Sequence, residues 1–195
     1  MKIIGITGAS GAGKSTFVKL LNLPVVDADK AARVVTKKGH KCLEELAEKF
    51  GADILLPDGS LERKTLAKKA FVNKSSTELL NSVTHPYIKK VMAEEIETYR
   101  KANEKAVILD APQLFEAGCE EMCDFVIGVL ADKDIRKKRI MARDNIDEQQ
   151  AEIRLNAGKS DEFFKERCDK IIINNGEIDK LKREADSILN LIEKS

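Results

Sequence analysis

An α/β fold built on a parallel sheet is what this sequence predicts, and three observations predict it. Five short apolar runs recur along the chain, near residues 2–7, 25–26, 106–110, 124–130 and 170–173. The segments between them carry apolar residues at helical spacing. Directly after the first run comes Gly8-Ala9-Ser10-Gly11-Ala12-Gly13-Lys14-Ser15-Thr16, which reads G-x-x-x-x-G-K-S. Short strands that are apolar on both faces, alternating with helices, belong to a sheet covered on both sides and joined by right-handed crossovers.

The first strand spans residues 2–7. The glycines after it let the backbone turn so that N–H groups face an anion, and the next helix adds the positive end of its dipole. In this strand, loop and helix order the motif is a Walker A phosphate loop. The fold class is therefore a three-layer P-loop nucleoside triphosphate hydrolase fold. Lys14 supplies a charge for the β- and γ-phosphates, and Ser15 an oxygen for Mg²⁺. The helix is short, because Asn22-Leu23-Pro24 stops it. Val25-Val26 is a second strand that ends in Asp27-Ala28-Asp29, at the sheet edge where open α/β folds bind ligands. One of these acids is expected to cap the helix from Ala28 to about Thr36 and the other to face the ligand, and the spacing leaves open which does which.

From Gly39 to about Lys101 the pattern is helical with a turn region from Gly51 to Asp58-Gly59 and no evident strand, as in an acceptor-binding insert between strands two and three. His85-Pro86 is expected to break it, since proline favours the first position of a helix. A long helix bearing Ile88, Val91, Met92, Ile96 and Tyr99 should follow. Ala106 to Asp110 is the third strand, in the Walker B position, where Asp110 helps hold the Mg²⁺ shell. Pro112-Gln113-Leu114-Phe115-Glu116 then forms a loop whose Leu114 and Phe115 fit either a small core or a ligand wall. Strand four leads into a helix whose Arg136, Arg139 and Arg143 share a face. A solvated basic face is the ordinary reading of such a run; in a P-loop chain it also fits a phosphate clamp. Asp147 caps a helix that reaches Asn156, and about 144–160 is expected to form a mobile lid. Lys170 to Ile173 is strand five, Asn174-Asn175-Gly176 turns out of it, and an amphipathic helix from Ile178 to Ile192 closes the chain. The expectation is a single domain with core segments at about 1–38, 104–143 and 169–195, a helical acceptor subdomain at about 39–103 and the lid.

The composition agrees. A chain of 195 residues with 43% apolar and 34% charged residues makes one domain with a full core. A net charge of +1 argues against non-specific nucleic-acid binding. The N-terminus carries no signal-peptide pattern, and the longest apolar run, about Phe125 to Ala131, is too short for a bilayer. A cytoplasmic location without membrane contact follows as the expectation. Cys42, Cys119, Cys123 and Cys168 lack paired zinc-site spacing, so reduced thiols are expected.

A phosphate loop alone says only that a nucleoside triphosphate binds. A GTPase would need N-K-x-D and an Asp-x-x-Gly after strand three, and Asp110 is followed instead by Ala111-Pro112-Gln113. A small-molecule kinase fits the size, the insert and the arginine-bearing lid. Several further motifs occur in order: Asp27-Ala28-Asp29 with Arg33, Phe50-Gly51 through Asp58-Gly59 to Arg63, and His85-Pro86-Tyr87-Ile88. Pro112 through Glu116, Lys138 through Asp144, and Asn174-Asn175-Gly176 complete the series. In this order and spacing the chain resembles the dephospho-CoA kinase family over nearly its whole length.

The resemblance implies transfer of the ATP γ-phosphate to the 3′-hydroxyl of the dephospho-CoA ribose, with Mg²⁺; a monomer is the expectation, and a homo-oligomer is the alternative. It makes Asp29 the catalytic base and Asp27 structural. Lys14, Arg139 and Arg143 would stabilise the transition state. Gly11, Ala12, Gly13, Lys14, Ser15 and Thr16 would hold the ATP phosphates, with Asn175 and Gly176 near its adenine. Arg33, Arg63, His85, Leu114, Phe115 and Glu116 would stand with Asp29 beside the acceptor. The departures are a shorter first helix, Ala9-Ser10 in the loop, Gln113 for a leucine and Gly158 in the lid. A uridine-type nucleoside kinase, or a homologue that binds nucleotide without this activity, is the alternative.

Overall fold

The protein, described from a computed structural model, is defined over residues 1–193. It divides into two compact units. One comprises Met1–Val26 with the chain from Tyr99 onward, and the other is Asp27–Thr98.

The first unit is organised by the sheet. Strand β1 (Lys2–Gly8) lies centrally between β3 (Ala106–Asp110) and β4 (Phe125–Leu130), with β5 (Lys170–Ile173) beyond β4 and β2 (Val25–Asp27) beyond β3. The β1–β3, β1–β4 and β4–β5 pairings are all parallel. Central strands buried on both faces must be apolar throughout, and β1 is buried from Ile3 to Ile6, as is β3 from Ala106 to Leu109. Helix α1 (Lys14–Leu21) and helix α9 (Ile178–Glu193) pack Phe17, Leu21, Leu181, Ala185 and Ile188 into a cluster with Ile4, Ile6, Ile127 and Val129 of the sheet. Helix α1 ends where expected: Asn22 adopts left-handed backbone with φ 47°, and Pro24 follows. After β4 come α6 (Lys133–Asp144), α7 (Glu148–Asn156) and α8 (Asp161–Arg167). Asp147 caps α7 by accepting from the Gln150 N–H at 2.7 Å. Ile140 of α6 packs with Ala151 and Leu155 of α7 in a small cluster of their own.

Helix α8 was not expected. Its signal is local: Ser160 accepts from the Phe163 N–H at 3.2 Å, with Asp161 and Glu162 in the first turn.

The second unit is helical. It holds α2 (Ala28–Val35), α3 (Lys41–Phe50), a short 3₁₀ turn, α4 (Arg63–Ala70) and most of α5 (Lys74–Lys101). Its core gathers Val35, Cys42, Leu46, Ile54, Leu66, Ala70 and Val83. The expected break at His85-Pro86 is corrected here, because α5 runs unbroken for 28 residues with Pro86 inside it. An interior proline removes one backbone bond and costs about 3 kcal/mol relative to alanine. Burial on both sides of it offsets that cost, through Val83 and Thr84 before Pro86 and Met92 and Ile96 after it. His85 is thus an interior helical residue rather than a helix start.

Candidate active site

Strand β1 delivers the chain to the sheet's carboxyl edge and ends at Gly8. That residue has φ +146°, and a side chain there would collide with the Val129 backbone, so only glycine allows β1 to lie against β4 as it turns away. The loop then tightens on itself, the Ala12 N–H donating to the Ala9 carbonyl at 3.1 Å. Gly13 starts α1 at φ 88°. A cavity of about 620 Å³ opens at this edge, lined by the loop from Gly8 to Thr16 and by Pro112, Gln113 and Glu116. Arg139, Arg143 and the Ala157-Gly158-Lys159 segment line it from the α6–α8 region. Four cations line it, Lys14, Arg139, Arg143 and Lys159, and three of them are paired with carboxylates: Lys14 with Asp110, Arg143 with Asp144 and Lys159 with Glu116.

Lys14 forms an ion pair with Asp110, the acid at the end of β3. Both side chains are 17% exposed, which keeps them within reach of the cavity's solvent while holding the amine at its rim. Ser15 and Thr16 are exposed on the first turn of α1. A hydroxyl and a carboxylate are hard oxygen donors, the set that suits Mg²⁺.

Arg139 turns its Nη1 onto backbone: the carbonyls of Gly11, Ala12 and Asn174 accept at 3.4, 3.2 and 3.0 Å. Arg143 makes two hydrogen bonds to Asp144, at 2.7 and 2.9 Å, and Arg154 joins the same carboxylate. The Arg143 guanidinium therefore holds the Asp144 carboxyl below the usual carboxylate range, with Arg154 adding to the effect. Arg136, which shares their helix face, pairs instead with Asp161 of α8 at 3.2 Å.

Leu114 is fully buried and belongs to the core, while Phe115 is half-buried against the sheet cluster and edge-on to Phe163 at 5.7 Å. Exposed Glu116 lies 3.7 Å from Lys159. The ammonium of Lys159 also sits 5.1 Å from the centre of the Phe163 ring. At the other margin, Asn175 Oδ1 accepts from the Asp132 N–H at 3.0 Å, and Gly176 follows with φ +113°. Sequence reasoning passed over Lys159 and Asn174; a lysine after the capped lid helix, and the first asparagine of the Asn-Asn-Gly turn, were the available signals.

In the helical unit the two acids after β2 divide their work. Asp27 caps α2, accepting from the Asp29 and Lys30 N–H groups at 2.8 and 3.1 Å. Asp29 sits in the first turn and is exposed, as is Arg33 on the same helix. Arg63 donates to Thr36 Oγ1 at 3.4 Å at the margin of an apolar hollow of about 300 Å³.

A family model described as dephospho-CoA kinase matches residues 2–180. The chain belongs to the dephospho-CoA kinase family. The matched span contains every motif of the resemblance to dephospho-CoA kinases, from Gly8 through Gly176. The chain is similar to a dephospho-CoA kinase of Corynebacterium efficiens, with 39% identity over 95% of this chain and 94% of the relative. It is similar to one of Listeria innocua, with 38% identity over 99% and 96% of the two chains. Among solved structures, the dephospho-CoA kinase from Campylobacter jejuni superposes with a TM-score of 0.72 at 28% identity, covering 98% of this chain and 97% of that one. The five-stranded sheet and its helices are thus the α/β fold of P-loop kinases. No helix among the described residues is long and apolar enough to cross a membrane.

Proposed function

We propose that this chain transfers the γ-phosphoryl group of ATP to the 3′-hydroxyl of the dephospho-CoA ribose, giving CoA and ADP. The observation that carries the reading is the cation-lined cavity formed by the glycine loop, Lys14 and the cations of the α6–α8 region. Phosphoryl transfer asks a protein for in-line positioning and charge neutralisation rather than covalent chemistry, and these residues supply both.

The loop from Gly11 to Thr16 cradles the phosphates with its N–H groups, and Lys14 exchanges Asp110 for phosphate oxygens. Ser15 and Asp110 are the oxygen donors that would hold Mg²⁺, which would supply charge neutralisation for the β- and γ-phosphates. Arg143 and Arg139 add positive charge where the transferred group carries its negative charge. Asn175 and Gly176 meet the adenine. Asp29 accepts the proton of the attacking hydroxyl, a role that its exposure suits once Asp27 has taken the cap. Arg33, Arg63 and His85 bind the acceptor's anionic and polar groups, with Phe115 and Glu116 beside it and Leu114 supporting them from the core. The segment at about 144–160 closes as a lid, and the chain works as a monomer in the cytoplasm.

The test is ADP release from ATP and Mg²⁺ with dephospho-CoA, uridine, cytidine or no acceptor. Release with dephospho-CoA alone is expected. Release with a nucleoside instead would overturn the acceptor assignment and leave the phosphate site standing.

A further inference from the structure

A loop that grips an anion through its N–H groups has to keep its carbonyls turned away. Glycine-rich backbone does not do so unaided, because its peptides rotate at little cost. In this chain the restraint comes from the end of β5. Asn174 is buried, with 7% exposure, and every polar group of it that the structure pairs is used for the same purpose. Its N–H donates to the Leu130 carbonyl at the end of β4, at 2.8 Å. Its side-chain Nδ2 donates to the Ala12 carbonyl, also at 2.8 Å. Its own carbonyl accepts from Arg139 Nη1, the group that also reaches the Gly11 and Ala12 carbonyls.

A planar trans peptide joins the Ala12 carbonyl rigidly to the Gly13 N–H, and the two point in opposite directions. Fixing the oxygen therefore fixes the donor. Gly13 records the closeness of the contact independently, since a Cβ there would run into Asn174 Nδ2.

We propose that Asn174 is a positioning residue of the phosphate loop. Its amide holds the 12–13 peptide with the oxygen outward and the Gly13 N–H toward the bound phosphates, and Arg139 secures the same carbonyls beside it. The loop is thereby set before nucleotide arrives. The proposal rests on the reading of this loop as a nucleotide-phosphate site.

Asn174→Ala and Asn174→Asp test it, with circular dichroism to establish folding, Mg²⁺–ATP affinity by calorimetry, and turnover with dephospho-CoA. Asn174→Ala removes one buried bond and is expected to weaken ATP roughly tenfold, leaving the KM for dephospho-CoA unchanged. Asn174→Asp is isosteric and serves where the truncated chain does not fold. Its carboxylate sets an acceptor against the Ala12 carbonyl, so near neutral pH its defect is the larger. A protonated carboxyl donates again, so its ATP affinity relative to wild type recovers only as pH falls through the ordinary carboxyl range, about 4, with the Arg139 guanidinium opposing protonation. Folded variants that bind ATP as tightly as wild type would overturn the proposal. So would a defect shared equally by both substrates and flat with pH. A wild-type chain that binds no ATP would overturn the phosphate-loop reading itself and this proposal with it.

Discussion

Around the glycine loop the hydrogen bonds come from far along the chain. Asn174 reaches Ala12 across 162 positions, Arg139 reaches the same carbonyl across 127, and Lys14 meets Asp110 across 96. Around Asp29 in the helical unit the bonds are local, Asp27 bonding residues two and three further on while Asp29 and Arg33 project into solvent. The first arrangement spends stability on a fixed shape, suited to a ligand group that is always the same. The second leaves long side chains free to adapt, at the entropic cost of ordering them when a substrate binds. Under the proposed function the contrast becomes preorganisation where phosphates would bind and adjustability where the acceptor would.

The largest effect should come from Lys14→Ala. Loss of the mobile charge is expected to lower turnover by on the order of 10³-fold, with the thermal unfolding midpoint little changed because the side chain is partly exposed. A folded variant with near-normal turnover would end the account of the phosphate side. Next comes Asp29→Asn, expected to spare ATP affinity and to cut transfer by roughly 10²-fold, the scale of general-base catalysis. Single-turnover rates and ATP binding measured on one preparation separate these; unchanged transfer would reduce Asp29 to an exposed residue near a helix start.

Pro86→Ala probes the helical unit's own frame. It restores a backbone donor inside α5 and is expected to stabilise the chain by about 2–2.5 kcal/mol, the interior-proline penalty less the freedom that proline removes from the unfolded chain. Urea titration reads this directly, and a loss of stability would contradict it.

The last effect is on pH dependence. Burial pushes the thiols of Cys42 and Cys168 up to about 11 and that of Cys123 up to about 12. Groups whose folded pKa is raised bind more protons folded than unfolded, so stability falls as pH rises from about 9 toward 11 and 12. The sheet unit holds two of these thiols, and the helical unit one together with Tyr87, whose hydroxyl is pushed up to about 12 by its hydrogen bond to Glu45. Urea titrations at pH 8 and pH 11 should therefore show the chain less stable at the higher pH, and equal stability would contradict that.

The legible parts of the molecule were those whose causes are local. The glycine loop, the Asn22–Pro24 stop and the Asp147 cap each act within a few residues, and the apolar strands show their burial in composition. Of Asp27 and Asp29, spacing left the cap undecided, and the resemblance and the geometry of α2 both give it to Asp27. Pro86 misled because tertiary burial of the helix on both sides outweighs a local breaker. Helix α8 carried a readable cap at Ser160 but is short and lies between α7 and β5. Asn174 was hidden for another reason. Its bonds to Leu130, Ala12 and Arg139 exist only once a strand end, the glycine loop and α6 have met, so the Asn-Asn-Gly turn marks the residue without announcing these partners.

The most direct measurement is the fate of the γ-phosphoryl group. ATP labelled with ¹⁸O in that group is incubated with the chain, Mg²⁺ and dephospho-CoA, and the product mass is read. A product with the mass of CoA carrying the labelled phosphoryl oxygens, fragmenting with the label on the ribose, is the predicted result. Labelled inorganic phosphate with dephospho-CoA left intact would contradict the account, showing a hydrolase where a transferase is proposed.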